Sequence, residues 1–457
     1  MTTTDPRDVI AGAPMSRLQW AVVAITVALN ALDGFDVLSI SFASPGIARE
    51  WGMNPAALGI VLSMELIGMA LGSVFLGGVA DKIGRRPTIL GCLVVMAVGM
   101  VMATTVRGLI DLSIWRVVTG LGIGGMLAAI NAVAAEFSNT QRRALSVSLM
   151  SIGYPLGAVL GGLVVAQLLR GANADWRPVF YFGAAMTALL IPVVYFVVPE
   201  SVHWLARKQP AGALDRINKA MRRMGHAAVS ALPEIGAAAR SRSIAEIFQP
   251  GLVAITTIVT LAYFFHITTF YFIVKWIPKI VVDMGFVQSS AAGVLVWTNV
   301  GGATGGAVFG LLTLRFGLKP LTIVLLVLST VMVTLFGRSP ADLERLALIC
   351  AMAGFCTNAG IVGLYAIIAQ VFPTQVRAFG TGFTVGVGRG GSVLAPIIAG
   401  FLFNYGYALP VVAMTMATGS LFAAAVLTLL KLGDRPAVPG QDRPMRTTPL
   451  PEPRPAR

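Results

Sequence analysis

Twelve stretches of this sequence are each long and apolar enough to cross a lipid bilayer. A spanning helix needs about 20 mostly apolar residues, and the stretches lie at 18–43, 55–79, 88–106, 109–135, 143–169, 178–198, 251–274, 288–314, 319–337, 344–371, 377–403 and 408–431. Only 12% of the residues are charged, against about a quarter in an ordinary soluble domain. The pattern excludes a soluble enzyme. It predicts an all-α membrane protein with twelve transmembrane helices.

The twelve stretches form two groups of six, separated by one long polar segment. We therefore predict a cytoplasmic N-terminal tail at 1–17, a six-helix bundle at 18–198, a cytoplasmic central loop at 199–250, a second six-helix bundle at 251–431 and a disordered tail at 432–457. The first 17 residues lack the apolar core of a signal peptide. The last segment is rich in proline and charge, a composition that does not support a packed core.

The positive charge of the chain, formally +14, follows its predicted topology. With the N-terminus inside, Lys and Arg of the inner segments outnumber those of the outer loops by roughly three to one. This bias predicts a multi-pass protein of the cell inner (plasma) membrane with both termini in the cytoplasm. Because topology explains the charge, no nucleic-acid partner is needed to account for it.

The two groups of helices repeat each other in sequence. Five residues recur 233 positions later, namely Gly68, Gly72, Gly77, Gly84 and Pro87 as Gly301, Gly305, Gly310, Gly317 and Pro320. A second block, Thr140–Ala144, recurs 234 positions later as Thr374–Ala378. Parallel repeats with a binding site between them are typical of alternating-access transporters. They do not suit a channel built around one pore loop.

The loop after the second stretch, Gly77–Pro87, reads GGVADKIGRRP. Its glycines permit tight turns, and Asp81 is expected to cap a neighbouring helix N-terminus, where its charge meets the helix dipole. The loop closely resembles the signature loop of the major facilitator superfamily. Arg116–Gly120 and Pro199–Leu205 resemble two further motifs of that superfamily, and the resemblance covers about residues 18 to 431.

The resemblance implies the two-bundle major facilitator fold and a conformational latch at the inner face. The expected latch residues are Gly77, Asp81, Gly84, Arg85, Arg86, Glu136 and Arg143. Asp81 is then a latch and not a substrate ligand. Glu136 is expected to pair either with Arg85 or with the loop that carries Arg142 and Arg143.

Two carboxylates, Asp33 and Asp36, stand three residues apart on one face of the first predicted helix. Ionisable residues inside a membrane span are functional candidates by default, and mutual repulsion together with burial favours proton binding. Asp33, Asp36 and Arg116 are therefore the expected proton-coupling residues. By depth along their helices Asp33 and Arg116 can form an ion pair, and the alternative is that an arginine simply neutralises both carboxylates. Glu65 is expected to be structural.

The Asp33-Gly34-Phe35-Asp36 sequence also looks like that of the aromatic acid:proton symporter family, and two further segments, Gly153–Gly157 and Gly388–Gly391, strengthen the likeness. The resemblance implies uptake of benzoate-like or hydroxybenzoate-like carboxylates with protons. Arg389 is a candidate for bidentate pairing with the substrate carboxylate, or it anchors its helix.

The remaining binding candidate, His266, lies 233 positions after Asp33 and is its repeat mate. It hydrogen-bonds substrate or relays protons, or it is a satisfied core histidine. Asp33 and Asp36 complete the expected substrate-binding set.

Two rival functions stay open. One is a proton-coupled exporter of drugs or metabolites with the same fold, and the other is a non-transporting sensor of the acid. An enzyme has weaker support, because no nucleophile or His-rich motif is visible. Cys92, Cys350 and Cys356 lie in apolar stretches and are expected to be inert packing residues. No metal and no cofactor is expected; the expected partners are the aromatic carboxylate, protons and the bilayer, and the protein is expected to be a monomer.

Overall fold

The computed structural model describes residues 5–171, 174–233, 247–373 and 376–430. Over these residues the chain forms sixteen α-helices and no β-strand. Together these helices build twelve spans that are long and apolar enough to cross a membrane. This confirms the all-α, twelve-helix prediction. The predicted disordered tail, 432–457, lies outside the described residues, as does part of the predicted central loop.

The first half of the chain contributes eight helices. They are α1 Pro6–Gly12, α2 Arg17–Trp51, α3 Pro55–Phe75, α4 Gly77–Ile83, α5 Arg85–Ala103, α6 Leu109–Glu136, α7 Arg143–Leu168 and α8 Arg177–Val197. Local sequence sets several of their ends. Ser16 and Gln19 form a capping box that begins α2, and Asn54 caps α3 with its side chain.

Eight helices follow. They are α9 Val202–Lys208, α10 Ala213–Arg223, α11 Val253–Asp283, α12 Gln288–Leu312, α13 Leu318–Gly337, α14 Leu343–Val371, α15 Arg377–Asn404 and α16 Leu409–Thr428. The short helices α9 and α10 lie in the predicted central loop. We call the end of the bundle that carries α1, α9 and α10 the near end, and the opposite end the far end.

Two helices, α2 and α11, are longer than their apolar stretches, 18–43 and 251–274, predict. Each continues past an internal proline, Pro45 or Pro278, through buried apolar residues to a last turn with exposed charged side chains. Hydropathy therefore underestimates both helices. Asp33 consequently lies near the middle of α2, about 24 Å from Arg17 at 1.5 Å per residue. Lys275, one residue beyond the predicted stretch 251–274, lies inside α11.

The sequence repeat is a structural repeat. A Cβ atom on Gly68 or Gly72 of α3 would lie 2.2 Å from a backbone carbonyl oxygen of α6. Their repeat mates on α12, Gly301 and Gly305, face carbonyl oxygens of α14 at 1.9 and 2.3 Å. Such close approach of two helix backbones needs small residues. The glycines therefore bring the same pair of helices together in each half.

The two halves meet at the far end. A Cβ atom on Gly59 of α3 would lie 2.4 Å from the Pro396 carbonyl oxygen of α15, and one on Gly162 of α7 would lie 2.6 Å from Val296 of α12. One apolar cluster at this end contains residues of both halves. Towards the near end the apolar core divides into separate clusters, one centred in the first half and two in the second. The halves are thus closed against each other at the far end.

Candidate functional site

A cavity of ≈ 380 Å³ lies between the halves, partway along the helices. This space includes part that is open to solvent, and small-molecule sites are mostly apolar with a few oriented polar groups. Four helices line it, with Leu66 and Met69 from α3, Tyr263, Ile267 and Tyr271 from α11, Tyr365 from α14, and Arg389 and Ser392 from α15. The lining therefore offers apolar surface, three phenol groups and one guanidinium.

Arg389 is brought to this cavity by glycines on either side of it. A Cβ atom on Gly388 would lie 2.0 Å from the ring of Tyr263, and one on Gly391 would lie 2.4 Å from the Phe264 carbonyl oxygen. Helix α15 thus lies directly against α11. Within the described residues no carboxylate lies within 4.0 Å of the Arg389 guanidinium, although Asp33 is near enough to interact with its charge. The guanidinium is available for a carboxylate ligand.

Two tyrosines of the cavity, Tyr263 and Tyr365, form a pair. Their hydroxyl oxygens are 2.9 Å apart, and their ring centroids are 5.4 Å apart. The sequence did not single out either residue, because isolated aromatic residues in an apolar helix are usually packing residues. Only the apposition of α11 and α14 shows that the two hydroxyls share one site.

Asp33 and Asp36 are buried in the interior of the first half, with 1% and 0% of their surfaces exposed. None of their four carboxylate oxygens has a hydrogen-bond partner among the described residues. The charges that act on Asp33 are those of Asp36, Glu65 and Arg389. An unpaired, ionised carboxylate buried in this way is costly, and binding of a proton removes this cost.

The expected ion pair between Asp33 and Arg116 is wrong. Arg116 instead pairs with Glu65, and its guanidinium also contacts the Asp36 carbonyl oxygen at 3.3 Å. The reason is helix packing: a Cβ atom on Gly120 of α6 would lie 2.1 Å from the Glu65 carbonyl oxygen. The helical turn that follows Arg116 therefore packs directly against the turn that carries Glu65. Glu65 is the counter-ion in this region.

Glu65 has a second cationic neighbour, Lys275 of α11. The Lys275 Nζ atom is 3.7 Å from Glu65 Oε2 and donates a hydrogen bond to the Val37 carbonyl oxygen of α2. All three charged side chains of the group are fully buried. Hydropathy did not indicate Lys275 as a site residue, because the predicted apolar stretch ends at residue 274, one residue before it.

His266 does not line the cavity. Its Nδ1 atom is 2.8 Å from the Ser420 hydroxyl oxygen, and its Nε2 atom is 2.8 Å from the Thr357 carbonyl oxygen. Both ring nitrogens are therefore engaged between α11, α14 and α16, and the side chain is fully buried. The geometry matches the satisfied core histidine and does not support a role as substrate ligand.

The expected latch residues meet at the near end. Asp81 Oδ1 lies 2.7 Å from Arg85 Nη1 and 2.7 Å from Arg207 Nη2, so it joins α4 to α5 and α9. Arg85 Nη2 lies 3.1 Å from Glu136 Oε1, one of the two partners expected for Glu136. Asp81 forms ion pairs and does not cap a helix.

The carboxylate that caps a helix here is Glu200. Its Oε1 atom accepts hydrogen bonds from the backbone nitrogens of Arg85 and Arg86, at 2.8 and 3.4 Å, which begin α5. Burial raises the pKa of Glu200, and backbone N–H groups, including that of Ser201, oppose the shift by stabilising the carboxylate. Gly84 precedes α5 at a φ of +113°, and a Cβ atom there would lie 2.3 Å from Glu200 Oε2.

The other expected latch residues differ in their contacts. Arg86 donates to the Tyr195 carbonyl oxygen, and its guanidinium carbon lies 4.9 Å from the centroid of the Tyr195 ring. Gly77 begins α4. Arg143 is exposed at the start of α7 and forms no ion pair with another described residue, so the structure does not place it in the network.

Comparison with known proteins identifies the group to which this architecture belongs. The sequence model of the Major Facilitator Superfamily matches residues 26–302 and 259–455. Among solved structures, the chain is similar to a D-xylose-proton symporter, with a TM-score of 0.69 and 18% identity over 88% of this chain and 97% of that one. It is equally similar to the inward-open xylose transporter XylE of E. coli, with a TM-score of 0.69, 18% identity, and 90% and 96% coverage. These likenesses concern the fold.

Curated relatives match over most of their length. The gallate transporter of Pseudomonas putida is 27% identical over 93% of this chain and 94% of its own. The 4-hydroxybenzoate transporter PcaK of Pseudomonas putida is 28% identical over 88% and 90%. The benzoate transport protein of Acinetobacter baylyi is 27% identical over 85% and 84%.

Proposed function

The chain belongs to the major facilitator superfamily, and we propose that it takes up small aromatic carboxylates together with protons by alternating access. It is a multi-pass membrane transport protein, with two six-helix halves and a cavity between them. The relatives named above are transporters of gallate, 4-hydroxybenzoate and benzoate. All three substrates combine one aromatic ring with one carboxylate.

The observation that carries this proposal is the position of Arg389 in the cavity. A guanidinium binds a carboxylate through two parallel hydrogen bonds, and aromatic and aliphatic side chains on the same walls provide surface for a ring. The Tyr263–Tyr365 pair adds hydroxyl groups at the same cavity. Arg389 is the substrate's carboxylate ligand in this proposal, and His266 is not part of the site.

Asp33 and Asp36 are the proposed proton carriers. Both are buried without hydrogen-bond partners among the described residues, and Asp33 interacts electrostatically with Arg389. A substrate carboxylate that binds Arg389 competes with Asp33 for the same positive charge. Substrate binding then favours protonation of Asp33, and in this way binding of substrate is coupled to binding of a proton. Arg116 contributes through its ion pair with Glu65, which lies close enough to act on the charge of both aspartates.

The proposed orientation places the near end in the cytoplasm and the protein, as a monomer, in the inner (plasma) membrane. The excess of Lys and Arg on the segments of this end supports the assignment. In this orientation the closed far end faces outwards, and the Asp81–Arg85–Glu136 network lies at the inner face. We assign that network the role of a latch between conformations, since it ties α4, α5 and α6 together.

A labelled uptake panel in a transport-deficient host tests the proposal. The panel contains benzoate, 4-hydroxybenzoate, protocatechuate, a phenoxyacetate and a sugar. We expect accumulation of one or more aromatic acids, none of the sugar, and loss of accumulation with a protonophore. Cells preloaded with the acids provide the opposite test, because energy-dependent loss of label without uptake would assign an exporter. Binding of an acid without transport in either direction would assign a sensor.

A further inference from the structure

Lys275 is a fully buried cation at the boundary of the two halves. It lies on α11 of the second half, yet the partners of its ammonium group, the Val37 carbonyl oxygen and the Glu65 carboxylate, belong to α2 and α3 of the first half. Neither charged side chain has any exposed surface. The pair therefore crosses the contact that closes the far end, and neither of its members is a proposed substrate ligand or proton carrier.

The two oxygens of Glu65 have different partners. Its Oε1 atom pairs with Arg116 of α6, in its own half, whereas its Oε2 atom faces Lys275 of the other half. Arg116 therefore holds the carboxylate in place whether or not the halves are in contact. When the halves close, Glu65 presents a fixed negative charge to the approaching ammonium group.

Opening of the far end must separate α11 from α2 and α3. Lys275 then loses the Val37 carbonyl oxygen and the Glu65 carboxylate in one step, and water enters the gap and solvates it. Closure reverses the exchange, since it removes the ammonium group from water and returns it to these partners. A buried ammonium group without a counter-ion is costly, so the free energy of closure depends on the charge of Glu65.

We propose that Lys275 is the positioning residue that holds the far end closed, through its ion pair with Glu65. The inference rests on the proposed transport function only in that alternating access is assumed. It adds a residue outside the substrate cavity that determines which face is open. Because the pair joins the halves, its loss shifts the population from far-end-closed to far-end-open molecules.

Distance measurements between spin labels test this inference without any substrate. One label pair is placed at the far end, on Thr105 in the first half and Arg338 in the second. Another is placed at the near end, on Lys82 and Arg315. All four positions are exposed, and the three native cysteines are buried. The protein is measured as the full chain in lipid nanodiscs by double electron–electron resonance.

The test variant is Lys275→Met, which keeps an unbranched side chain but removes the charge. Its matched control is Lys279→Met, one turn further along α11, where the lysine pairs with Asp283 of the same helix. We expect Lys275→Met to raise the ratio of long to short far-end distances by about tenfold or more, a shift of about 1.4 kcal/mol. The near-end distance should shorten at the same time, and Lys279→Met should match the wild type.

Two outcomes would overturn the inference. One is a far-end distribution for Lys275→Met that equals that of Lys279→Met. The other is a longer far-end distance with no change at the near end, because this indicates loosening of the structure and not a change of open face. If Lys275→Met does not insert, Glu65→Gln removes the same pair from the other half and should give the same shift. The outcome is independent of the uptake panel, which tests the substrate.

Discussion

Arg389 is the residue on which the proposed recognition of a carboxylate depends. We expect Arg389→Lys to lose the two-bond geometry and to weaken carboxylate binding by roughly tenfold to 150-fold, from about 1.5–3 kcal/mol for one charge-assisted partner. The weak binding of a neutral amide analogue should change little. Equilibrium binding of the acid and its amide to the purified variant measures both effects. Unchanged binding of the acid would make Arg389 a helix anchor.

Asp33 is the residue that we expect to carry the proton. Asp33→Asn imitates the protonated acid, so the variant should bind substrate and exchange it across a liposome membrane. It should fail to accumulate substrate against a gradient, because the site no longer titrates. Counterflow and pH-driven uptake measure the two activities separately. Asp36→Asn is the comparison: if Asp33→Asn accumulates substrate and Asp36→Asn does not, Asp36 carries the proton.

At the scale of helices, small residues decide how closely the backbones pack. A Cβ atom on Gly157 of α7 would lie 1.7 Å from the Ala31 carbonyl oxygen of α2. We expect Gly157→Ala to destabilise the protein by about 1–3 kcal/mol or more, the range for overpacked cores. Thermal unfolding in detergent measures the loss.

Gly91 of α5 provides the matched control for that prediction, since a Cβ atom there meets no atom within 4 Å. In a helix interior alanine is more favourable than glycine by up to about 1 kcal/mol. Gly91→Ala should therefore unfold at the same temperature as the wild type or slightly higher. Equal melting temperatures for the two variants would show that α2 and α7 do not pack as closely as the structure indicates.

The near-end network joins helices at a distance from the cavity. We expect Asp81→Asn to slow transport while equilibrium substrate binding stays unchanged, because Asp81 contacts α5 and α9 and does not line the site. Transport rate and binding affinity are measured on the same preparation. Asp215→Asn, at an exposed position of α10, is the control for loss of one negative charge. If Asp81→Asn binds no substrate although it is folded and inserted, the latch assignment fails.

At the scale of the whole molecule, the charges in the middle of the bundle balance when Asp33 and Asp36 are both ionised. Among the described residues, the membrane interior around the cavity contains three acidic and three basic side chains, namely Asp33, Asp36, Glu65, Arg116, Lys275 and Arg389. A bound monoanion would add one uncompensated negative charge to this region. Since such a charge is costly in a region of low dielectric constant, one carboxyl group should take up one proton with each substrate.

This balance predicts electroneutral uptake of one proton per monoanionic substrate. In proteoliposomes, a pH gradient that is acidic outside should drive accumulation, and a membrane potential set by potassium and valinomycin should have little effect alone. Liposomes without protein provide the background for passive entry of the neutral acid. Accumulation driven by the potential alone would require more than one proton for each anion. Accumulation that needs sodium and persists without a pH gradient would exclude proton coupling.

The sequence by itself determined the number of spanning helices, the division into two repeated halves and the motif loop at the near end. It could do so because transfer of about 20 apolar residues into lipid depends on local composition, and because duplication leaves its period in the chain. Most helix ends fall within a few residues of the predicted ones. The predicted C-terminal ends are wrong for α2 and α11, because each helix continues through polar residues and a proline in a region where other helices pack against it.

Only the tertiary structure decided the partners of the buried charges. Asp33 and Arg116 are at compatible depths, yet Arg116 pairs with Glu65 because α6 packs on α3 through Gly120. Glu200, 115 positions from Arg85 in sequence, caps the helix that Asp81 was expected to cap. An ion pair forms between atoms a few ångströms apart, whereas sequence gives only depth along each helix. Packing of the whole bundle sets the rotation of each helix and determines which helices are its neighbours. These two properties bring such atoms together.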